Sequence, residues 1–481
     1  MAQLAFTADP QIQHHRWLIL VAVCLFSFMS TLDASIVNIA LPVMERSLHI
    51  PMNQVEWVVS IYLLVTCAFL LLFGKMSDSY GKIRIFKWGA GLFTLGSFLC
   101  GVNLGLSFLL FSRVTQGIGA AMTMSTNSGI ITEIFPKTER GRALGTIGSF
   151  VSLGSIAGPG IGGLILANYS WGYIFWMNVP IGIIALMYGH FILPHDVTFS
   201  DDAIDWLGAG LFFITIATTF GGIFGGQAIG FTQPIILWGL ALGPCFFLSF
   251  LLTEYRCPHP LVALRLFANA QFSVSLLSAF LVFVANLFFS VIMPFFLENT
   301  RHLPANVAGY LFMTFPLVQV VIAPLSGLVT DHVGPELITV IGLALISLSQ
   351  LGYLNTTVGL PFAFLVLFIA TGGLGNGIFQ APNNTIVMSA IPVTELGIAG
   401  SLSALVRELG MVIGIATATT VLFSSMSHQA GHLVSTYPFG HPDLFIHALH
   451  TAFTLALVLC LLATGLSIYR WMVTPRNASV K

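Results

Sequence analysis

Charge is scarce in this chain: acidic and basic residues together make up 7% of it, whereas soluble domains carry about a quarter. That shortage excludes an ordinary solvated globule. A net charge of -1 and no long Lys/Arg run leave no footprint for nucleic acid. Of six cysteines, Cys24, Cys67, Cys100, Cys245 and Cys460 sit inside apolar runs and Cys257 stands alone, so neither a disulfide framework nor a zinc pattern is available. No Gly-x-x-x-x-Gly-Lys-Ser/Thr loop occurs, and direct use of ATP is not expected. No nucleophile and base stand in a recognisable arrangement, and an enzyme is not expected. The first sixteen residues lack a cleavable-signal pattern; His14-His15-Arg16 runs straight into an apolar span, which is expected to serve as its own insertion signal.

What is abundant is hydrophobicity, at 56% of residues. Runs long enough to cross about 30 Å of hydrocarbon predict fourteen helices. Six start near Trp17, Val55, Ile85, Leu106, Ala143 and Tyr173; two near Ile204 and Pro234; six near Phe272, Ala305, Leu337, Pro361, Ile398 and Leu449. With the N-terminus inside, thirteen of the seventeen Lys and Arg residues fall on the cytoplasmic side. Only Arg46 and Arg301 fall outside, and Arg113 and Arg407 lie within spans. This bias obeys the positive-inside rule, and one missed or invented helix would destroy it.

The two sets of six are copies. Gly74, Asp78 and Gly81 recur as Gly327, Asp331 and Gly334, each 253 residues later. Asn127, Pro136, Glu139 and Gly141 recur as Asn383, Pro392, Glu395 and Gly397 at 256, and Gly158 and Gly162 as Gly410 and Gly414 at 252. Such repeated halves place a substrate path at their interface near the midplane. The acidic stretch of Asp196, Asp201, Asp202 and Asp205 that introduces the extra helix pair reads as a solvated linker in preference to a cation site.

Four motifs carry chemistry. Leu32-Asp33 opens a stretch ending at Pro42, with the acid about sixteen residues into the first span. An acid there must be paired, neutralised or hydrated; a permanent structural partner is the plain alternative. At the equivalent position of the second half stands Asn286, which cannot titrate and is expected to line the path or to bond a neighbouring helix. In the fourth helix, Arg113 shares a face with Gly117 and Ala120, small residues that admit close helix approach. Arg113 is the candidate partner of Asp33, against a static arginine on backbone carbonyls, and its counterpart is Val366. The fifth helix carries Gly154, Gly158 and Gly162 on one smooth face, with Pro159 to bend it and Gly163 beside them. The loop Gly74-x-x-x-Asp78-x-x-Gly81-x-x-Arg84 combines a tight turn with an acid able to face a helix N-terminus.

These residues together resemble the fourteen-helix drug:proton antiporters of the major facilitator superfamily, the EmrB/QacA type, over essentially the whole chain. The resemblance implies an all-α integral membrane protein with the major facilitator fold, two six-helix bundles (1–195 and 261–481) and a two-helix insert (196–260). It implies that Asp33 is the proton site and Arg113 its partner, and that Gly74, Asp78, Gly81 and Arg84 form a cytoplasmic gate, with Gly327, Asp331 and Gly334 as its second copy. Gly154, Gly158, Pro159, Gly162 and Gly163 would form the antiport helix, and Gln116, Asn286 and Gln319 would line the substrate path. In the thirteenth helix Arg407 and Glu408 are adjacent and point about 100° apart. Glu408 reads either as a second proton or cation site or as half of a structural ion pair.

The expected activity is export of amphipathic small molecules in exchange for protons by alternating access. Protons are the coupling ion, and no cofactor or metal is expected. The tenth helix offers Gln319 and no acid before Asp331, so monovalent or neutral amphiphiles are preferred over dications. Rivals are an exporter of one physiological compound (siderophore, peptide, lipid or fatty acid) and a sensor without transport. The expected setting is a bacterial cytoplasmic membrane, with both termini cytoplasmic, as a monomer in the lipid bilayer. His428, His432, His441, His447 and His450 are placed in a solvated external hairpin before the last helix, where metal binding is disfavoured for want of a Cys or Glu framework.

Overall fold

The computed structural model describes residue 6 and residues 9–473, apart from 197–203, 231, 259, 263, 392–395, 433, 435, 439 and 440. It is 87% helix, without strands among the described residues. In chain order the long helices are α1 (Pro10–Leu48), α2 (Trp57–Tyr80), α3 (Lys82–Cys100), α4 (Leu106–Ile134), α5 (Lys137–Asn168), α6 (Asn178–Ile192), α7 (Trp206–Ile229), α8 (Pro234–Arg256), α9 (Ala270–Phe295), α10 (Ala305–Val333), α11 (Pro335–Leu354), α12 (Phe362–Ser389), α13 (Leu396–Ala430) and α14 (Pro442–Val473). Single turns, Met52–Val55 and Tyr173–Trp176, precede α2 and α6.

Eleven helical segments among the described residues are long and apolar enough to cross a membrane. The three long helices outside that set are α3, α4 and α5. Polar load marks two of them, since α3 opens with Lys82, Arg84 and Lys87 and α4 holds Arg113 and Gln116, while the described apolar part of α5 is Ile156–Asn168.

The chain divides into two units, Met1–Ile50 with Gln54–Ala263, and Pro51–Asn53 with Leu264–Lys481. Within the first, α1 packs on α5 and α6, α4 on α2 and α3, and α3 on α6. Within the second, α9 packs on α13 and α14, α12 on α10 and α11, and α11 on α14. These five pairings correspond one to one, so the repeat seen as fixed sequence offsets is also a repeat of architecture. The pair α7–α8 belongs to the first unit and packs against α2, where Phe224 meets Trp57 at 4.7 Å and Phe213 meets Phe69 at 5.4 Å between ring centroids.

Local chemistry sets the helix ends. Asp9 caps α1 by accepting from the Gln11 and Ile12 amides, and Asn269 caps α9 in the same way through Gln271 and Phe272. Gly81 ends α2 at φ 101° and Gly334 ends α10 at φ 91°, a backbone region that side chains strain to enter. Each donates its amide to the carbonyl four residues back, Ser77 and Thr330 respectively. The two loop glycines are thus conformational equivalents.

Two expectations need correction. The last helix starts at Pro442, seven residues before the expected Leu449, because Pro at the first turn and Asp443 beside it suit a helix N-terminus. His447 and His450 are therefore helical, as is His428 at the end of α13, and no cluster of three or more metal-ligating side chains exists among the described residues. Arg470, one of the basic residues expected on the cytoplasmic side, lies buried in the last turn of α14, where it donates to Ser275 Oγ at 2.6 Å and Thr339 Oγ1 at 2.7 Å.

Candidate functional site

Five helices of the first unit bring polar groups to one dry point. Asp33 of α1 and Arg113 of α4 are both 0% exposed. Arg113 Nη1 donates to Asp33 Oδ2 at 2.6 Å. The other carboxylate oxygen, Oδ1, accepts from Gln116 Nε2 at 2.9 Å and from Asn178 Nδ2 at 2.8 Å. Gln116 lies one turn beyond Arg113 on the same face of α4; its amide oxygen accepts from Arg113 and its nitrogen also donates to Ser97 Oγ of α3 at 2.8 Å. Asn178 opens α6.

The guanidinium is fixed from the other side too. Its Nε donates to the Val58 carbonyl of α2 at 2.8 Å, and its carbon lies 4.3 Å from the Tyr62 ring centre, a cation–π contact. Nη2 is buried without a hydrogen-bond partner. Charge-assisted bonds of this length are strong, and every donor around Asp33 suits an acceptor-only carboxylate. The three donors fill three of the roughly four acceptor positions of the carboxylate, two on Oδ1 and one on Oδ2.

The glycine face of α5 lies directly on the Asp33 helix. A Cβ at Gly154 would sit 2.6 Å from the Phe28 carbonyl oxygen, one at Gly158 would overlap Ser35 Oγ, and one at Gly162 would sit 2.6 Å from Ile36 Cγ1. Pro159 and Gly163 lie buried inside the same helix. The second unit repeats the arrangement: Cβ atoms at Gly410 and Gly414 would stand 2.8 Å from Phe283 and Leu287 of α9. What it does not repeat is the ion pair. Asn286 and Asn376 instead exchange amide bonds at 2.8 and 3.3 Å, so Asn286 bonds a neighbouring helix.

At the α2–α3 turn the acids share the work differently from the sequence reading. Asp78 pairs with Lys82 at 2.7 Å, and Lys82 also reaches Glu133 of α4 at 2.8 Å. The acid that faces the α3 N-terminus is Asp196, which accepts from the Ile83 and Arg84 amides at 2.8 and 2.9 Å. Asp196 thus does more than solvate a linker. It occupies the space a Gly81 side chain would need. Gly74 lies within 4.0 Å of Ser125 on α4 if given a Cβ, and the Arg84 side chain is exposed. In the second copy, Gly327 lies in α10 with open space around it, and the Asp331 side chain lies outside the described residues. Asp201, Asp202, Pro392 and Glu395 lie outside them as well.

Glu408 is 1% exposed and accepts from Arg407 Nη2 at 3.2 Å, with the arginine half-exposed. Adjacent residues can meet because the long arginine folds back on its neighbour. Gln319 is half-buried in α10, and its carbonyl would stand 3.0 Å from a Gly377 Cβ on α12. His428 and His447 line an open cleft of about 750 Å³ with Ser424, Gln429 and Thr451.

Asn178 was absent from the sequence reading. Its only signal is an amide opening a strongly apolar helix, which is ordinary at a helix start.

This combination of a doubled six-helix plan and an acid–arginine pair inside one copy defines a class of membrane transporters. The chain matches the sequence model of the Major Facilitator Superfamily over residues 23–205, 203–415 and 275–478, and it belongs to that family. It is a multi-pass membrane protein. It is 33% identical to the riboflavin transporter RibZ of Clostridioides difficile over 465 residues, covering 96% of this chain and 99% of that protein. It is 29% identical to the multidrug resistance protein Stp of Mycobacterium tuberculosis H37Rv over 414 residues, 85% of this chain and 76% of the relative. It is 30% identical to the uncharacterized transporter YebQ of Escherichia coli K12 over 398 residues, 82% and 86% of the two chains.

Proposed function

We propose that this protein is a proton-coupled exporter of amphipathic small molecules, with fourteen spans, both termini cytoplasmic, in a bacterial cytoplasmic membrane. The observation that carries the reading is the buried Asp33–Arg113 pair, closed off from water and completed by Gln116 and Asn178. An acid whose only neighbours are donors binds a proton once a conformational change parts them. Re-forming the cluster expels it. The smooth face of α5 against α1 provides a surface along which those helices can shift. An inward proton gradient supplies the work, about 2.3 kcal/mol per elementary charge per 100 mV. The multidrug relative supports a broad substrate range. Six, two and six spans accord with the fourteen long helices and with the bias of basic residues to one side.

Dedicated transport of riboflavin is the second reading, favoured by the 33% identity to RibZ along nearly the whole of both chains. Proteoliposomes separate the two. Lipophilic monovalent cations should dissipate an imposed pH gradient through the broad exporter. Gradient-independent riboflavin flux, with no response to such cations, favours the second reading.

A further inference from the structure

Asp33 is buried among three donors; Glu56 is buried among none. Glu56 joins the single turn Met52–Val55 to α2 and is 1% exposed. Both of its carboxyl oxygens are buried without a hydrogen-bond partner. One turn along the same face of α2, the Ser60 hydroxyl is buried and unpartnered as well. The titratable group acting on Glu56 is another acid, Glu45 in the last turn of α1, itself 7% exposed. Arg46, the basic residue of that turn, directs Nε to the Pro42 carbonyl at 3.1 Å.

An ionised carboxylate cannot persist there. It would be desolvated and would lack every donor that stabilises Asp33. A carboxylic acid can: it is neutral and of the same shape. Glu45 stands twelve residues from Asp33 on α1, about 18 Å along a helix. The two acidic positions are therefore separate sites and not one shared pair.

We propose that Glu56 is a second proton-binding site of the first unit, at the Leu48 end of α1, and that it is protonated in this conformation. Exposing it to water releases the proton; burying it takes one up from water. The conformation seen here is then favoured by acid on that side of the membrane. Its link to transport rests on the proton-driven reading above, whereas its protonation does not.

Infrared difference spectroscopy on the full chain in lipid bilayers, stepped from neutral to alkaline pH, reads the protonated-acid carbonyl stretch directly. Glu56→Gln should lose one such band, Glu56→Asp should keep it at a shifted position, and Asp33→Asn and Glu45→Gln should retain it. A full set of bands in Glu56→Gln, or loss of the band in Glu45→Gln instead, overturns the assignment whether or not export is proton-driven. Gel filtration confirms that Glu56→Gln, an isostere of the acid form, is folded. In proteoliposomes that export with wild-type protein, alkaline pH on the Glu56 side should slow the wild type and spare Glu56→Gln, with equal rates at acid pH. An unchanged pH profile in Glu56→Gln overturns the role in transport.

Discussion

Asn178 Nδ2 lies 2.8 Å from Asp33 Oδ1, so the first residue of α6 holds an acid in the middle of α1. The bond makes α6 part of the cluster around Asp33, together with α4. Asn178→Ala removes one of three donors to a buried carboxylate and should cost about 1–3 kcal/mol of stability. Asn178→Asp should be worse, because a second acid then meets the first. Thermal unfolding in detergent, with gradient-driven export beside it, checks both: each variant should be destabilised in that order.

Asp33→Asn keeps the shape but leaves Arg113 buried without its counter-charge, which should cost about 3–5 kcal/mol. Asp33→Asn combined with Arg113→Gln should recover much of that stability, since the orphaned charge is gone, yet recover no coupled export. Thermal shifts of the two singles and the double settle the energetic half. A double mutant as unstable as Asp33→Asn would show that the pair does not offset itself.

Gly158→Ala should be poorly tolerated, because its Cβ would overlap Ser35 Oγ on α1. Overpacking of this kind costs about 1–3 kcal/mol. Combining it with Ser35→Ala removes the hydroxyl and should return part of the loss, leaving the contact with Ser35 Cβ at 2.9 Å. Unfolding temperatures of the single and double variants report whether the helices touch as described.

Asp196→Ala removes the acceptor of two backbone amides at the α3 N-terminus and should cost about 0.5–2 kcal/mol, in the range of a lost helix cap. Asp78→Ala leaves that cap intact and removes only the pair with the partly exposed Lys82, so it should cost less. Cysteine accessibility at the α2–α3 turn should rise more in the first variant than in the second. The reverse order would return the capping role to Asp78.

The parts of this fold readable from sequence were those with a local physical cause. Apolar runs must be helices in hydrocarbon, whose exposed backbone would otherwise go unpaired, and the starting points at Leu106, Tyr173, Pro234 and Ala305 each coincide with an observed helix or lead-in turn. Asp33 and Arg113 stood out because charge inside an apolar span needs a partner. Gly158 and Gly162 stood out through their spacing. Asn178, Asp196 and Glu56 did not, because each matters only through what folds against it: an amide at a helix start, an acid in a loop and an acid beside a turn are all unremarkable in a linear reading. His447 and His450 fall in a helix and not in the hairpin for a local reason, as Pro442 starts the last helix earlier than hydrophobicity suggests.

The central claim is that Asp33 carries the proton that drives export. Proteoliposomes loaded with a pH-sensitive dye and challenged with a lipophilic monovalent cation measure it directly. Wild-type protein should dissipate the imposed pH gradient on addition of the compound, and Asp33→Asn, shown to be folded and to bind the same compound, should leave the gradient intact. Gradient dissipation by Asp33→Asn at the wild-type rate would contradict the account.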